Sequence, residues 1–279
     1  MECDTVIVRY SEIFLKSDHV RRYFTGKLLQ NLLHALGADG LEASVFQRRH
    51  RIFLETKSPA EVAMRASCVF GVRSTSPAIR ASSDIKTLTS QVVDYAGRII
   101  GDGTFAMDCR RAKDYPIDSP TLERVLGAAV VKAFGNKVDL KGPDSILNVE
   151  VHTDSAFIYG RTIEGVGGLP YGTQGEVAAE VDGNLDALAA WMMMRRGCTV
   201  SLAGDACYAT RLSRYSTNGI SAHSSIEEAA SLNGVCGIVC GQTLRDLDTA
   251  RDTIFHVPVY RPLIGLDSRQ IHSLMSYVS

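Results

Sequence analysis

Three features that would narrow the function at once are missing from this sequence. There is no CxxC pair: the seven cysteines stand at 3, 68, 109, 198, 207, 236 and 240. Structural zinc sites ordinarily carry such a pair, so no metal is expected. In a reducing compartment most of these thiols should be small buried hydrophobes. There is also no apolar run of the roughly 18 residues that a membrane-crossing helix needs, and the start, MECDTVIVRY, lacks a basic-then-apolar leader. The expectation is a cytoplasmic protein without a membrane partner. Finally, there is little net charge, −1 over 279 residues, and no low-complexity segment or short-period repeat.

What is present describes a globular protein of two or three domains, with 45% apolar and 22% charged residues. The charge is uneven: +4 over residues 1–80, −2 over 81–175 and −3 over 176–279. Only the first third has an excess that would attract a polyanion, and that excess is mild.

The order of elements is informative. TVIVRYS is a short β-rich run. Asp18–Leu36 repeats Val20, Tyr23, Phe24, Leu28, Leu32, Leu33 and Leu36 at helical spacing, with Gly37 as the expected stop. SVFQRRHRIFLET reads as a strand or hairpin around a basic centre. Ser58-Pro59 opens a helix, and SPAI resumes an extended chain. Helix Ser83–Ile100, strand TFAMDCR, helix Ser119–Phe134 and strands LNVEVHT and SAFIYGRT follow. GVGGLPYGTQG at 165–175 has no periodicity and reads as a linker or rigid loop. Beyond it, CTVSLAG, VCGIVCG and PVYRPL alternate with helical stretches, the pattern of a small parallel α/β sheet.

RYSEIFLK at 9–16, FGVRSTSPA at 70–78 and GVGGLPYGTQG at 165–175 coincide in this order. Together with LGAAVVKAFGNKVDLKGPDSILNVEVHTDSAFIYG, they resemble the tRNA 4-thiouridine synthase (tRNA sulfurtransferase) family. RPLIGLDSRQI and CGQTLRDLD resemble its closing elements. The resemblance is dense over residues 5–175 and patchy beyond. It implies an α+β ferredoxin-like domain over residues 1–80, an α/β THUMP domain over 81–170, and a truncated α/β PP-loop ATP-pyrophosphatase-like domain over 171–279. It also implies tRNA as partner.

Members of that family place an SGGxDS turn between the first strand and first helix of the catalytic domain. There, glycines admit backbone N–H groups to the ATP phosphates, and the helix N-terminus adds positive potential. Here the turn before WMMMRRG reads VDGNLDA. Counting back from the helix sets Val181–Asp186 on the motif, and only Gly183 survives. A one-residue deletion matches Gly183 and Asp186 instead. Asp182 and Asp186 thus bring carboxylates where phosphate donors belong. A fixed negative charge at ~4 Å from phosphate costs about 1 kcal/mol in water and about 4 near a protein surface. The turn reads as a former nucleotide site, with no cofactor expected. The spacing from CTVSLAG to VCGIVCG, within forty residues, implies that part of the sheet is missing, and no rhodanese-like domain is expected.

The basic residues are the candidate RNA contacts: Lys16, Arg21, Arg22 and Lys27; Arg48, Arg49 and Arg51 (with His50 among them); and Arg110, Arg111 and Lys113. A solvated face would explain such clusters alone. The positions of Lys16, Arg110, Arg111 and Lys113 in the resemblance favour RNA, which is held largely through phosphates and shape. Cys236 and Cys240 read as part of a buried strand, Cys207 has no clear catalytic counterpart, His223 and His256 show no triad pattern, and the MMM run at 192–194 reads as core. The expected function is tRNA binding without ATP-dependent adenylation. Two alternatives stay open: an active sulfurtransferase with a sulfur-carrier or ATP-binding partner, and a subunit positioning tRNA for another enzyme. A homodimer is also open.

Overall fold

A computed structural model describes the chain except Met1, Ser11, Lys16, Arg49, His50, Ala250, Arg251, Thr253, Ile254 and Ser279. The chain divides into two compact units that interleave along the sequence. Unit 1 holds Met1–Arg9, Leu41–Met64 and Ser74–Glu164; unit 2 holds Tyr10–Gly40, Arg65–Arg73 and Gly165–Ser279.

Unit 1 is built on one mixed sheet. Its strands are β1 (Thr5–Arg9), β2 (Ser44–Arg48), β3 (Arg51–Glu55), β4 (Ser74–Ala81), β5 (Phe105–Arg111), β6 (Ser145–Val151), β7 (Ala156–Tyr159) and β8 (Ile163–Glu164). They run in the order β2-β3-β1-β4-β7-β6-β5, with β8 also on β4. The expected hairpin forms as β2 and β3, with Phe46 opposite Phe53. Two helices have clear sequence causes. In α3 (Ile85–Ile99), Asp84 accepts from the Thr87 N–H at 3.0 Å. In α4 (Ser119–Phe134), Asp118 accepts from the Thr121 N–H at 2.8 Å, proline follows in the first turn, and Gly135 closes the end in the left-handed region. Both helices pack on one face of the sheet, where Leu88, Val92, Leu122, Leu126 and Val130 meet Ile79, Phe105, Leu147, Val149 and Ile158. The helix α2 (Pro59–Ser67) lies across the division between the units.

Pleating sends every second side chain to the other face. There a second cluster is made of strand residues alone: Ile7, Phe53, Ala78, Phe157 and Tyr159, with Phe46 against them.

Unit 2 contains a 3-10 turn (Glu12–Leu15), α1 (Asp18–Ala38) and a five-stranded sheet. The helix α1 does not stop at Gly37 as expected; it runs to Ala38, and Gly40, at φ +69°, turns the chain. Asn31 Nδ2 donates to the Tyr171 carbonyl at 3.0 Å. The sheet strands are β9 (Glu176–Val181), β10 (Thr199–Gly204), β11 (Ser221–His223), β12 (Val235–Val239) and β13 (Val259–Tyr260), all parallel, in the order β11-β10-β9-β12-β13. The expectation of a gap between CTVSLAG and VCGIVCG is therefore corrected. The residues between them supply α6 (Ala206–Ser213), β11 and α7 (Ile226–Ala230), short elements that carry the chain from β10 to β12. One face carries α5 (Asn184–Arg195) with Trp191 fully buried, and the other carries Ile226 and Ala229 of α7. Met194 is buried and Met192 and Met193 pack against the same core, as expected for the MMM run. The chain closes with α8 (Ser268–Met275), started by an Asp267–Gln270 capping box.

The 165–175 segment is a rigid loop. Its backbone is tied by Gly167 N–H to Val72 O at 2.8 Å, Leu169 N–H to Arg195 O at 2.9 Å and Gly172 N–H to Gly197 O at 3.0 Å. Gly168 sits at φ +78° with the Arg195 carbonyl where a Cβ would stand, 2.1 Å from it, so no other residue fits.

Candidate functional site

In the parallel sheet, the chain proceeds from β9 outward to β10 and β11, then returns to β12 on the other side of β9. The reversal leaves a crevice at the carboxyl ends of β9 and β12, where open α/β sheets bind ligands. A cavity of about 150 Å³ lies there, lined among others by Glu180, Asp182, Asp186, Cys240, Asp248, Asp252 and Arg261. Of the candidate positions, Asp182 and Asp186 line the crevice, and Gly183 between them is the cap of α5, in extended conformation.

What stands at the helix start differs from a phosphate cradle. The Gly241 N–H donates to Asp186 Oδ1 at 3.1 Å. A Cβ on Gly241 would lie 2.5 Å from the Asp186 backbone nitrogen, so the chain after β12 is pressed against the first turn of α5. A carboxylate thus stands at the helix start, where an anion would otherwise be attracted. Burial raises the Asp186 carboxyl above its usual range, opposed by the Gly241 hydrogen bond. The cation of the crevice is engaged as well. Arg261 donates to Asp252 at 3.0 Å, to Gln242 at 2.8 Å and to the Asp248 carbonyl at 2.9 Å. Burial pushes the Cys240 thiol up, away from thiolate chemistry. Among the described residues, no three His, Cys, Asp or Glu side chains are placed to hold a metal ion.

Two readings of single residues change. Cys236 is exposed rather than buried, because the two-residue β13 pairs only Ile238 and Val239 of β12. His223 does have a carboxylate neighbour, with Nδ1 3.7 Å from Glu228 Oε1, supplied by the first turn of α7.

The basic candidates separate into several fates. Lys16 and Arg49, with His50, lie outside the described residues. Arg21, Arg22 and Lys27 belong to α1 in unit 2; Arg21 pairs with Asp18, Arg22 Nε donates to the Asp18 carbonyl at 3.4 Å, and the Lys27 stem lies against Gly172. Arg111 is occupied in shaping the chain after β5, donating to the carbonyls of Ala112, Lys113 and Tyr115 at 3.2, 2.8 and 3.1 Å. Lys113 beside it is exposed.

Arg48, Arg51 and Arg110 do come together, on the helix-free face of the unit 1 sheet. Register places Arg48, Arg51 and Arg9 side by side across β2, β3 and β1. On the other half, Arg80, Phe157, Glu150 and Arg110 stand side by side across β4, β7, β6 and β5. Arg9 and Arg80 were not among the sequence candidates. The available signal was the two-residue period: TVIVR puts Arg9 in phase with Ile7, and LNVEVHT puts Glu150 opposite in phase to Val149 and Val151. Aromatic rings floor this face. Arg48 and Arg80 lie 5.8 and 5.7 Å from the Phe46 ring centre, and Arg9 lies 4.8 Å from that of Tyr159. Burial, with Glu150 beside it, pushes the Tyr159 phenol up to about 12.

Comparison with known proteins identifies two domains in the first 160 residues of the chain. Residues 5–76 match the ThiI ferredoxin-like domain and residues 82–160 match the THUMP domain. A probable tRNA sulfurtransferase of Methanobrevibacter smithii is 38% identical over 207 residues, covering 72% of this chain and 53% of that protein. One of Staphylococcus aureus strain Newman is 36% identical over 207 residues, 72% of this chain and 50% of that protein. The chain spans about half the length of the curated relatives it matches. Among solved structures, PH1313 from Pyrococcus horikoshii Ot3 superposes with a TM-score of 0.87 and 30% identity over 98% of both chains. A 4-thiouridine synthetase solved as an RNA complex with bound ATP shares the fold, with a TM-score of 0.82 and 21% identity over 100% of this chain and 85% of that one.

Proposed function

Given that the chain belongs to the tRNA 4-thiouridine synthase (tRNA sulfurtransferase) family, we propose that it binds tRNA through the helix-free sheet face of unit 1 and does not itself adenylate the tRNA. The observation that carries this reading is the set Arg9, Arg48, Arg51, Arg80 and Arg110 on an aromatic floor, within a unit that includes the THUMP stretch. Guanidinium groups match phosphate geometry, and folded RNA offers phosphates in a fixed arrangement. The second clause is supported by Asp186 and Gly241, which fill the start of α5 where ATP phosphates would be received. In this role the protein acts in the cytoplasm, holding tRNA for a partner that supplies ATP or sulfur, as one chain or as a homodimer.

The test has two arms. Folded tRNA should bind the full chain with an affinity that falls steeply as salt rises; no binding, or none of that dependence, overturns the first clause. Calorimetry with Mg-ATP should show no binding at millimolar nucleotide, and tRNA should not provoke AMP release. Micromolar ATP binding overturns the second clause alone.

One observation favours a second reading, an active sulfurtransferase: all five parallel strands and the crevice between β9 and β12 are retained. Mass spectrometry of tRNA nucleosides from a strain lacking the protein decides between them. Loss of 4-thiouridine together with ATP binding supports the active enzyme.

A further inference from the structure

On the helix-free face of unit 1, three arginines each have a carboxylate of their own. Arg48 pairs with Asp154, Arg80 with Glu55 at 2.7 Å, and Arg110 with Asp108 at 3.1 Å. Among the described residues, Arg9 and Arg51 do not. They share Glu150, which lies 2.9 Å from Arg51 Nε and 3.4 Å from Arg9 Nη2. The Tyr159 hydroxyl donates to the same carboxylate at 3.0 Å, and Arg9 Nη1 donates to Ser76 Oγ at 2.9 Å. Glu150 is nearly fully buried, with its side chain 5% exposed, while those of Arg9 and Arg51 are 14% and 24% exposed.

Two guanidiniums against one carboxylate leave one positive charge uncompensated in a partly buried place. A buried cation lacking a counter-ion is costly, and hydrophobic residues of similar volume would serve stability as well or better. The arrangement therefore makes more sense as half of a binding site than as a brace. We propose that Arg9 and Arg51 form a seat for one phosphodiester of the RNA backbone, with Glu150 as the positioning residue that holds both guanidiniums. The charge balances: a phosphodiester carries one negative charge, the amount the cluster lacks. The geometry agrees for Arg51, which Glu150 engages through Nε, leaving the outer Nη edge, the part of a guanidinium fork that grips two phosphate oxygens. Arg9, with Nη1 on Ser76 and Nη2 on Glu150, contributes its charge and the second proton of each nitrogen. Arg110, in register with Glu150 on the neighbouring strand, is 57% exposed and placed to meet the next stretch of the same backbone.

This inference rests on the tRNA-binding reading, and the experiment separates the two. Binding of the full chain to folded tRNA is measured over a range of salt for the wild type, Glu150→Gln, Arg51→Lys and Arg9→Gln, with the melting temperature of each. Glu150→Gln removes a negative charge, so a face that acts by net charge alone will bind tRNA more tightly. A face that needs its arginines held will bind about tenfold more weakly. Arg51→Lys keeps the charge and loses the fork, and the same loss is expected. Arg9→Gln should weaken binding and flatten the salt slope by about one ion. Absence of wild-type binding overturns the functional reading and this site with it. Wild-type binding with equal or tighter binding by Glu150→Gln overturns the site alone. Should Glu150→Gln melt early, Arg51→Lys and Arg9→Gln decide, and unchanged affinity in both overturns the proposal.

Discussion

Single residues on this protein are set by their partners more than by their type. Asp154 is exposed, yet hydrogen bonds from the Arg48 guanidinium hold its carboxyl down from the usual 3.8 to about 2. A depressed folded value means that the pair favours the folded state above the unfolded value, and that this contribution is lost as pH falls from about 3.8 toward about 2. A carboxyl NMR titration should place the Asp154 midpoint near 2, and Arg48→Ala should return it to the ordinary range. The thiols differ in the same way. Burial pushes Cys109 up to about 12, while Cys207 and Cys236 are exposed. Alkylation at mildly basic pH, followed by peptide mass spectrometry, should label Cys207 and Cys236 and leave Cys109 untouched until the protein unfolds.

At the scale of elements, backbone demands separate positions that look alike in sequence. Gly135 and Gly168 have nearly equal positive φ, +76° and +78°, but nothing lies near a Cβ on Gly135, whereas one on Gly168 meets the Arg195 carbonyl. Gly135→Ala should cost about 1 kcal/mol, the price of the left-handed region alone. Gly168→Ala should cost distinctly more, at least about 3 kcal/mol; equal denaturation midpoints would contradict the loop geometry. The end of β5 and the residues after it divide similarly. Arg110→Ala and Lys113→Ala should each flatten the tRNA salt slope by about one. Arg111→Ala should lower the melting temperature instead, since it releases three carbonyl contacts. The elements themselves were legible because their causes are local. Ser119-Pro120 and Gly135 mark both ends of α4, and short apolar runs mark the parallel strands. The strand-to-helix turn at Asp182 and Asp186 was legible too, since its parts adjoin in sequence; the crevice around it was not, because β12 and Arg261 come from far along the chain. The arginine face was not. Arg9, Arg51 and Glu150 lie far apart in the chain, and only the pairing of β4 with β7 sets them on one sheet. No local pattern reports that pairing.

At the scale of the whole molecule, the matched domains and the compact units run differently along the chain. The ThiI ferredoxin-like match covers residues 5–76 without a break, yet Tyr10–Gly40 and Arg65–Arg73 belong to unit 2. A fragment of residues 1–175, which holds both matched domains, would keep α1 and remove the sheet of the unit to which α1 belongs. Phe24, Leu28, Leu32 and Leu36 are buried in the full chain. The fragment is expected to bind a hydrophobic dye, to lack a cooperative melt and to aggregate, where the full chain melts sharply. The same interleaving bears on synthesis. Asn31 leaves the ribosome 140 residues before its partner Tyr171, and Phe70 waits a comparable interval for Trp191 and Tyr215. During that interval the side of α1 that carries Phe24, Leu28, Leu32 and Leu36 lacks the sheet of its unit, and closing so long a loop is slow. Nascent chains of this protein should therefore depend on a holding chaperone until the last strands emerge, and translation pauses after Gly40 would lengthen that dependence.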